Sequence, residues 1–162
     1  MAPPKIALEI EYHLEGQPDI AAEKERFCRA ASWICERVGL KSLTASIAIV
    51  DDPTIHRINR DHLNHDWPTD VISFVFDAND DSVNGEVIAS YDTAARLAVK
   101  AGWATEDELL LYVAHGLLHL AGFDDIEEQD RQKMRSAEMD LLTDLGIQGS
   151  ETYLKTWHQI SY

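Results

Sequence analysis

Two histidines four residues apart, His115 and His119, are the side chains in this chain best suited to metal chemistry. On a helix, residues at i and i+4 lie one above the other on the same face. Two imidazoles placed that way can share one divalent ion. Three residues after His119 comes Gly122, then the acidic pair Asp124 and Asp125. A glycine can end the helix in a left-handed conformation and let the chain fold back. Either Asp124 or Asp125 could then supply a third ligand. Catalytic zinc sites use three protein ligands and keep the fourth position for water, whose lowered pKa yields a hydroxide near neutral pH. A glycine turn leading to a third ligand resembles the zincin arrangement. Gly116, however, stands where metallopeptidases carry their glutamate base, which argues against peptide hydrolysis.

A helix is therefore required across His115 and His119. Thr105 and Glu108 are spaced as a capping box, which predicts a helix from 105 to about 121 with a stop at Gly122. Helical periodicity predicts further helices over about 19–38, 52–63, 94–101 and 127–145, and a short one in the tail 150–162. Strands are expected over 6–12, 43–50, 71–76 and 86–90. The segment 71–76 is almost continuously apolar, which reads as a central strand covered on both faces. With 86–90 it forms a hairpin with a long polar loop. Strands and helices mixed in one short chain give an α+β fold, and 162 residues suit a single domain, 1–162.

Composition sets limits. The formal net charge is −15, which opposes binding of a polyanion. No run of about 18 apolar residues is present, so no membrane-spanning helix is expected. The N-terminus has neither the basic nor the apolar region of a signal peptide. Cys28 and Cys35 are two helical turns apart, too far for a disulfide. They read as reduced thiols, which points to the cytoplasm.

Beyond these features, the run His115-Gly116-Leu117-Leu118-His119-Leu120-Ala121-Gly122-Phe123-Asp124 resembles the signature of the YbeY family of metal-dependent endoribonucleases, also described as rRNA maturation factors. Two more blocks are similar to that family: Asn59-Arg60-Asp61 followed by Pro68 to Phe74, and Gly85 to Ser90. The resemblance implies a single α+β domain with a small, mostly parallel mixed sheet, surrounding helices and a zincin-like metal helix. It also implies one Zn2+ and maturation of the small-subunit ribosomal RNA 3′ end, with a role in ribosome quality control. The implied partners are the ribosomal RNA precursor, the small ribosomal subunit and its proteins.

The chain departs from the family pattern at two positions. The family's third ligand is a histidine where Asp125 stands, so the expected ligand set is His115, His119 and Asp125, with Asp124 as the alternative. The family carries an arginine, read as holding substrate phosphate, where Leu63 stands. Arg60, three residues earlier, could substitute, and His62 and His65 are further candidates. Asp124 is the weak candidate for a general base. Asp70, Thr69 and Ser73 read as turn or loop residues, Trp33, Trp103 and Trp157 as packing residues, and Trp67 as a base-stacking residue or a cover for the core. The rival to a nuclease is a ribosome-assembly binding factor whose metal is mainly structural; a peptidase is the third reading. Arg57 and Arg60 lead toward the site and, with a divalent ion, offset the overall charge locally. Free RNA should then bind weakly and with strong salt sensitivity.

Overall fold

The computed structural model describes residues 2–15 and 20–147. The expected tail helix and Trp157 lie outside them. In chain order the elements are β1 (Lys5–Tyr12), α1 (Ile20–Val38), β2 (Ser42–Val50), α2 (Asp52–Leu63), β3 (Val71–Ala78), β4 (Ser82–Ser90), α3 (Tyr91–Ala101), α4 (Thr105–Leu120) and α5 (Glu128–Asp144). The sheet runs β1-β2-β4-β3; β1, β2 and β4 are parallel, and β3 is antiparallel to β4. The α+β fold with a small, mostly parallel mixed sheet is present as expected.

Alternation along the strands sorts side chains to two cores. Ile47 and Ile49 of β2 and Val83 and Val87 of β4 face the main core with α1, α4 and α5. Val50 and Ile88 face the other way and pack with Ile55 of α2 and Ile72 of β3. Helix α4 is buried continuously from Glu108 to Leu118, as expected for a helix that is apolar nearly all round.

Three local expectations need correction. The apolar run of β3 belongs to an edge strand, not a central one. Its first half is covered on both faces, Val71 by the main core and Ile72 by the smaller one. A bulge between Val75 and Asp77 breaks the ladder, and Val75 and Phe76 are exposed. The central place goes to β4, because it pairs with both the hairpin partner and β2. The hairpin loop is also short, since β3 and β4 extend to Ala78 and from Ser82. Finally, the capping box does not form. Ala104 is the N-cap without a side-chain bond. The Glu108 carboxylate instead turns into the core, where it accepts from Trp103 Nε1 at 2.6 Å. Its burial pushes that carboxyl's pKa up.

Elsewhere the start and stop signals behave as their chemistry dictates. Asp51 caps α2 by accepting from the Thr54 amide at 2.9 Å, with Pro53 in the first turn. Helix α3 starts earlier than expected, at Tyr91, because Ser90 caps it through the Thr93 amide. Both cysteines are free thiols. Among the described residues no helix is long and apolar enough to cross a membrane.

Candidate metal centre

Helix α4 carries His115 and His119 one turn apart at the floor of a cleft of about 560 Å³. Their positions depend on Gly116. A Cβ there would lie 2.6 Å from Val87 Cγ1, so only glycine lets α4 approach β4 this closely. The glutamate of a metallopeptidase has no room at that position, which removes the peptidase reading.

The turn beyond α4 completes the group. Gly122 has φ +102°, a conformation that costs glycine little. The Asp124 carboxylate accepts from the amides of Asp125 and Ile126 at 2.7 and 3.2 Å. Asp124 thereby pins the turn, and Asp125 points inward. Nε2 of His115 lies 3.1 Å from Nε2 of His119. Oδ2 of Asp125 is 3.4 Å from the first and 3.3 Å from the second.

The other ring nitrogens explain why these atoms face one another. His115 Nδ1 lies 2.5 Å from Glu138 Oε1, and His119 Nδ1 lies 3.1 Å from the Phe123 carbonyl. A carboxylate and a carbonyl only accept, so each Nδ1 carries the proton. Both Nε2 lone pairs and a carboxylate oxygen then converge on one point, and three acceptors that close together call for a cation. A tetrahedral centre with bonds of about 2.0–2.1 Å has edges of about 3.3–3.4 Å, which the triangle matches. The three residues are therefore able to hold a divalent metal.

Charge around the triangle agrees. Burial alone would lower the His115 pKa; the Glu138 carboxylate and the facing Asp125 outweigh it and raise the pKa, so positive charge at this point, a proton or a metal ion, is favoured. The imidazoles of His115 and His119 against it hold the Asp125 carboxyl well below the ordinary carboxylate range. Glu138 is fully buried on α5. Sequence reasoning did not single it out, yet a signal existed. It lies on the stripe of Met134, Ala137 and Leu141, where an unpaired charge would be too costly to bury.

The mouth of the cleft redistributes the other candidates. Leu63 does line it, so an apolar side chain occupies the wall where the resemblance puts an arginine. His65 lines it too, stacked on Trp67 with ring centroids 4.7 Å apart. Trp67 is 54% exposed, which excludes the core-cover reading. Asn59, buried in α2, donates to the Trp67 carbonyl at 2.9 Å and anchors this loop. Arg60 is not part of the cleft lining. It is exposed and its Nε lies 3.1 Å from Asp61 Oδ1, so the side chain turns to its own neighbour and not to the cleft. Arg57 is exposed and outside the lining as well, and His62 sets its edge against Phe74. Asp70 is a turn residue as expected, accepting from the Val71 amide and the Thr69 hydroxyl, and it is also buried in the cleft near His115.

A family model described as Endoribonuclease YbeY matches residues 15–146. The chain belongs to the YbeY family. An Endoribonuclease YbeY of Rhodopirellula baltica is 37% identical over 143 residues, covering 83% of this chain and 74% of its own. That of Syntrophotalea carbinolica is 44% identical over 103 residues, covering 59% and 69%. A Thermotoga maritima protein solved in solution shares the fold, with 22% identity, a TM-score of 0.59 and coverage of 89% of this chain and 95% of that one. The matched residues 15–146 include the whole His-His-Asp triangle.

Proposed function

We propose that this protein is a zinc-dependent endoribonuclease that matures the 3′ end of small-subunit ribosomal RNA and serves ribosome quality control in the cytoplasm. One observation carries the reading. In a chain of the YbeY family, three acceptor atoms with spacings of 3.1–3.4 Å converge at the floor of an open cleft. His115, His119 and Asp125 are the ligands, and one ion fits them. When bound, the metal supplies an acidified water and polarises a phosphoryl oxygen.

The chain's own residues hold that site ready. Glu138 and the Phe123 carbonyl keep both imidazoles in the ligating tautomer. Asp124 fixes the turn through Oδ1, which supports a positioning role for it. Asp125 in place of a histidine adds negative charge, which makes the metal a weaker Lewis acid than three imidazoles would.

The decisive experiment compares metal content and cleavage of rRNA 3′-end substrates by the unsubstituted protein and by His115→Ala and Asp125→Ala. We expect one zinc per chain, lost together with cleavage in both variants. Equal cleavage by His115→Ala would overturn the nuclease reading, and undiminished zinc in Asp125→Ala would overturn the ligand set. One observation supports a second reading, a ribosome-assembly factor with a structural metal: the apolar Leu63 lines the wall that carries phosphate-binding charge in the family pattern. That reading predicts binding to small ribosomal subunits that persists without cleavage.

A further inference from the structure

A chain of net charge −15 that takes a polyanion as substrate needs cations at the place where the polyanion binds. On the wall formed by the end of α2 and the loop into β3, the lining is Leu63, Trp67 and Pro68, with His65 stacked on Trp67. Arg57 and Arg60 lie outside the cleft. The opposite wall is different. Helix α3 presents Thr93, Arg96, Leu97 and Lys100 to the cleft, a spacing that puts all four on one face.

Arg96 is held in place. Nη1 donates to Asp52 Oδ2 at 2.5 Å and Nη2 donates to Thr93 Oγ1 at 3.2 Å. Asp52 is itself fixed by the Ser90 and Thr93 hydroxyls at 2.6 and 2.7 Å. These bonds leave further donors of the guanidinium for a ligand, and the side chain is 59% exposed. Lys100, one turn further along the helix, has no ion-pair partner among the described residues. The two cations thus line the same cleft as the metal triangle.

We propose that Arg96 and Lys100 bind phosphates of the RNA backbone next to the metal centre, the task for which Leu63 lacks a charge. Asp52 is the positioning residue for Arg96. The inference rests on the nuclease reading for the identity of the polyanion, not for the existence of the cationic wall.

The test measures both binding and cleavage of a single-stranded oligoribonucleotide by the metal-loaded protein across a salt series. Each phosphate contact on a single strand contributes about 0.7 to the slope of log affinity against log salt, or about fourfold in affinity at 0.15 M. Arg96→Gln and Lys100→Gln should each weaken binding about fourfold and raise KM with kcat nearly unchanged. The double variant should lower the slope by about 1.4. Lys41→Gln, a surface change at the far end of β2, should leave affinity and slope as they were. Lys100→Gln touches no ion pair of the fold, so its result stands even if Arg96→Gln disturbs Asp52. The proposal is overturned if the double variant keeps the parental affinity and slope, if Lys41→Gln weakens binding equally, or if Arg60→Gln alone reproduces the loss. Binding that depends on Arg96 and Lys100 without any cleavage supports the cationic wall and overturns only the nuclease. No binding by the unsubstituted protein overturns both.

Discussion

The floor and the mouth of the cleft are built on opposite terms. At the floor, both imidazoles of the metal triangle are held through Nδ1 by partners beyond it. His115 leans on the buried Glu138, His119 on the Phe123 carbonyl, and α4 on β4 through Gly116. At the mouth, Trp67, His65 and Leu63 are exposed, and the loop is anchored by the Asn59 amide and the left-handed Asn64 that caps α2. Metal chemistry needs fixed angles and a dry second layer, which a fully buried helix supplies. Recognition of a polymer needs accessible groups, which an exposed loop and one helix face supply. The contrast predicts that substitutions at the floor damage metal binding and stability together, while those at the mouth change substrate handling at little cost to the fold.

Glu138→Gln should give the largest effect. The amide oxygen can still accept from Nδ1 of His115, so packing and tautomer survive, but the charge that strengthens the ligand is lost. Partners of this kind typically contribute 10–100-fold in metal affinity, and we expect a loss in that range in a competition titration against a chelator. An affinity within about twofold of the parent would mean that packing alone organises the floor, and the contrast with the mouth would weaken.

Gly116→Ala should come next. The added methyl would sit 2.6 Å from Val87 Cγ1, and a β-branched side chain buried in the main core has few ways to yield. Overpacking of this kind costs about 1–3 kcal/mol, read as a lower midpoint in denaturant unfolding. Val87→Ala in the same chain should recover part of it. Trp67→Ala, at the mouth, should change stability by no more than about 0.5 kcal/mol. If the two substitutions cost the same, floor and mouth are not distinct in the way described.

The same contrast decides what the sequence could reveal. The floor was legible because local rules write it: i, i+4 spacing, a glycine stop and a flanking acidic pair set the geometry within 11 residues, His115 to Asp125. Glu138 lies 23 residues from His115, and its meeting with the imidazole depends on how α5 packs on α4. The cationic wall was missed for the same reason, since Arg96 and Lys100 look like ordinary helix charges until α3 is placed against the cleft. Arg60 was favoured because i, i+3 spacing puts it on the helix face of Leu63, but a shared face does not fix where a long side chain reaches, and here it turns to Asp61. The run at β3 misled because hydrophobicity reports coverage and not order in the sheet; Val71 and Ile72 are covered, but Val75 and Phe76 are not. Thr105 and Glu108 matched a capping box in spacing, yet the pull of Trp103 Nε1 and the core took Glu108 inward.

The smallest predicted effect probes the seam between floor and mouth, where Asp52 ties α2 to α3. Burial would raise the Asp52 pKa, but hydrogen bonds from Ser90, Arg96 and Thr93 outweigh it and hold the folded pKa below the ordinary carboxyl range. A carboxyl depressed in the folded state stabilises it fully above the unfolded pKa and loses that contribution as pH falls through the folded one. The window is therefore below about pH 4. Asp52→Asn should cost about 1 kcal/mol near neutrality, because the Arg96 side of the pair is solvent-exposed and screened. Thermal unfolding of the parent and the variant from pH 6 to pH 2 should show the difference narrowing only below about pH 4. Two curves that stay parallel down to pH 2 would show that the Asp52 charge does not hold the α3 wall, and that the helix is positioned by the packing of Ala94 and Ala98 alone.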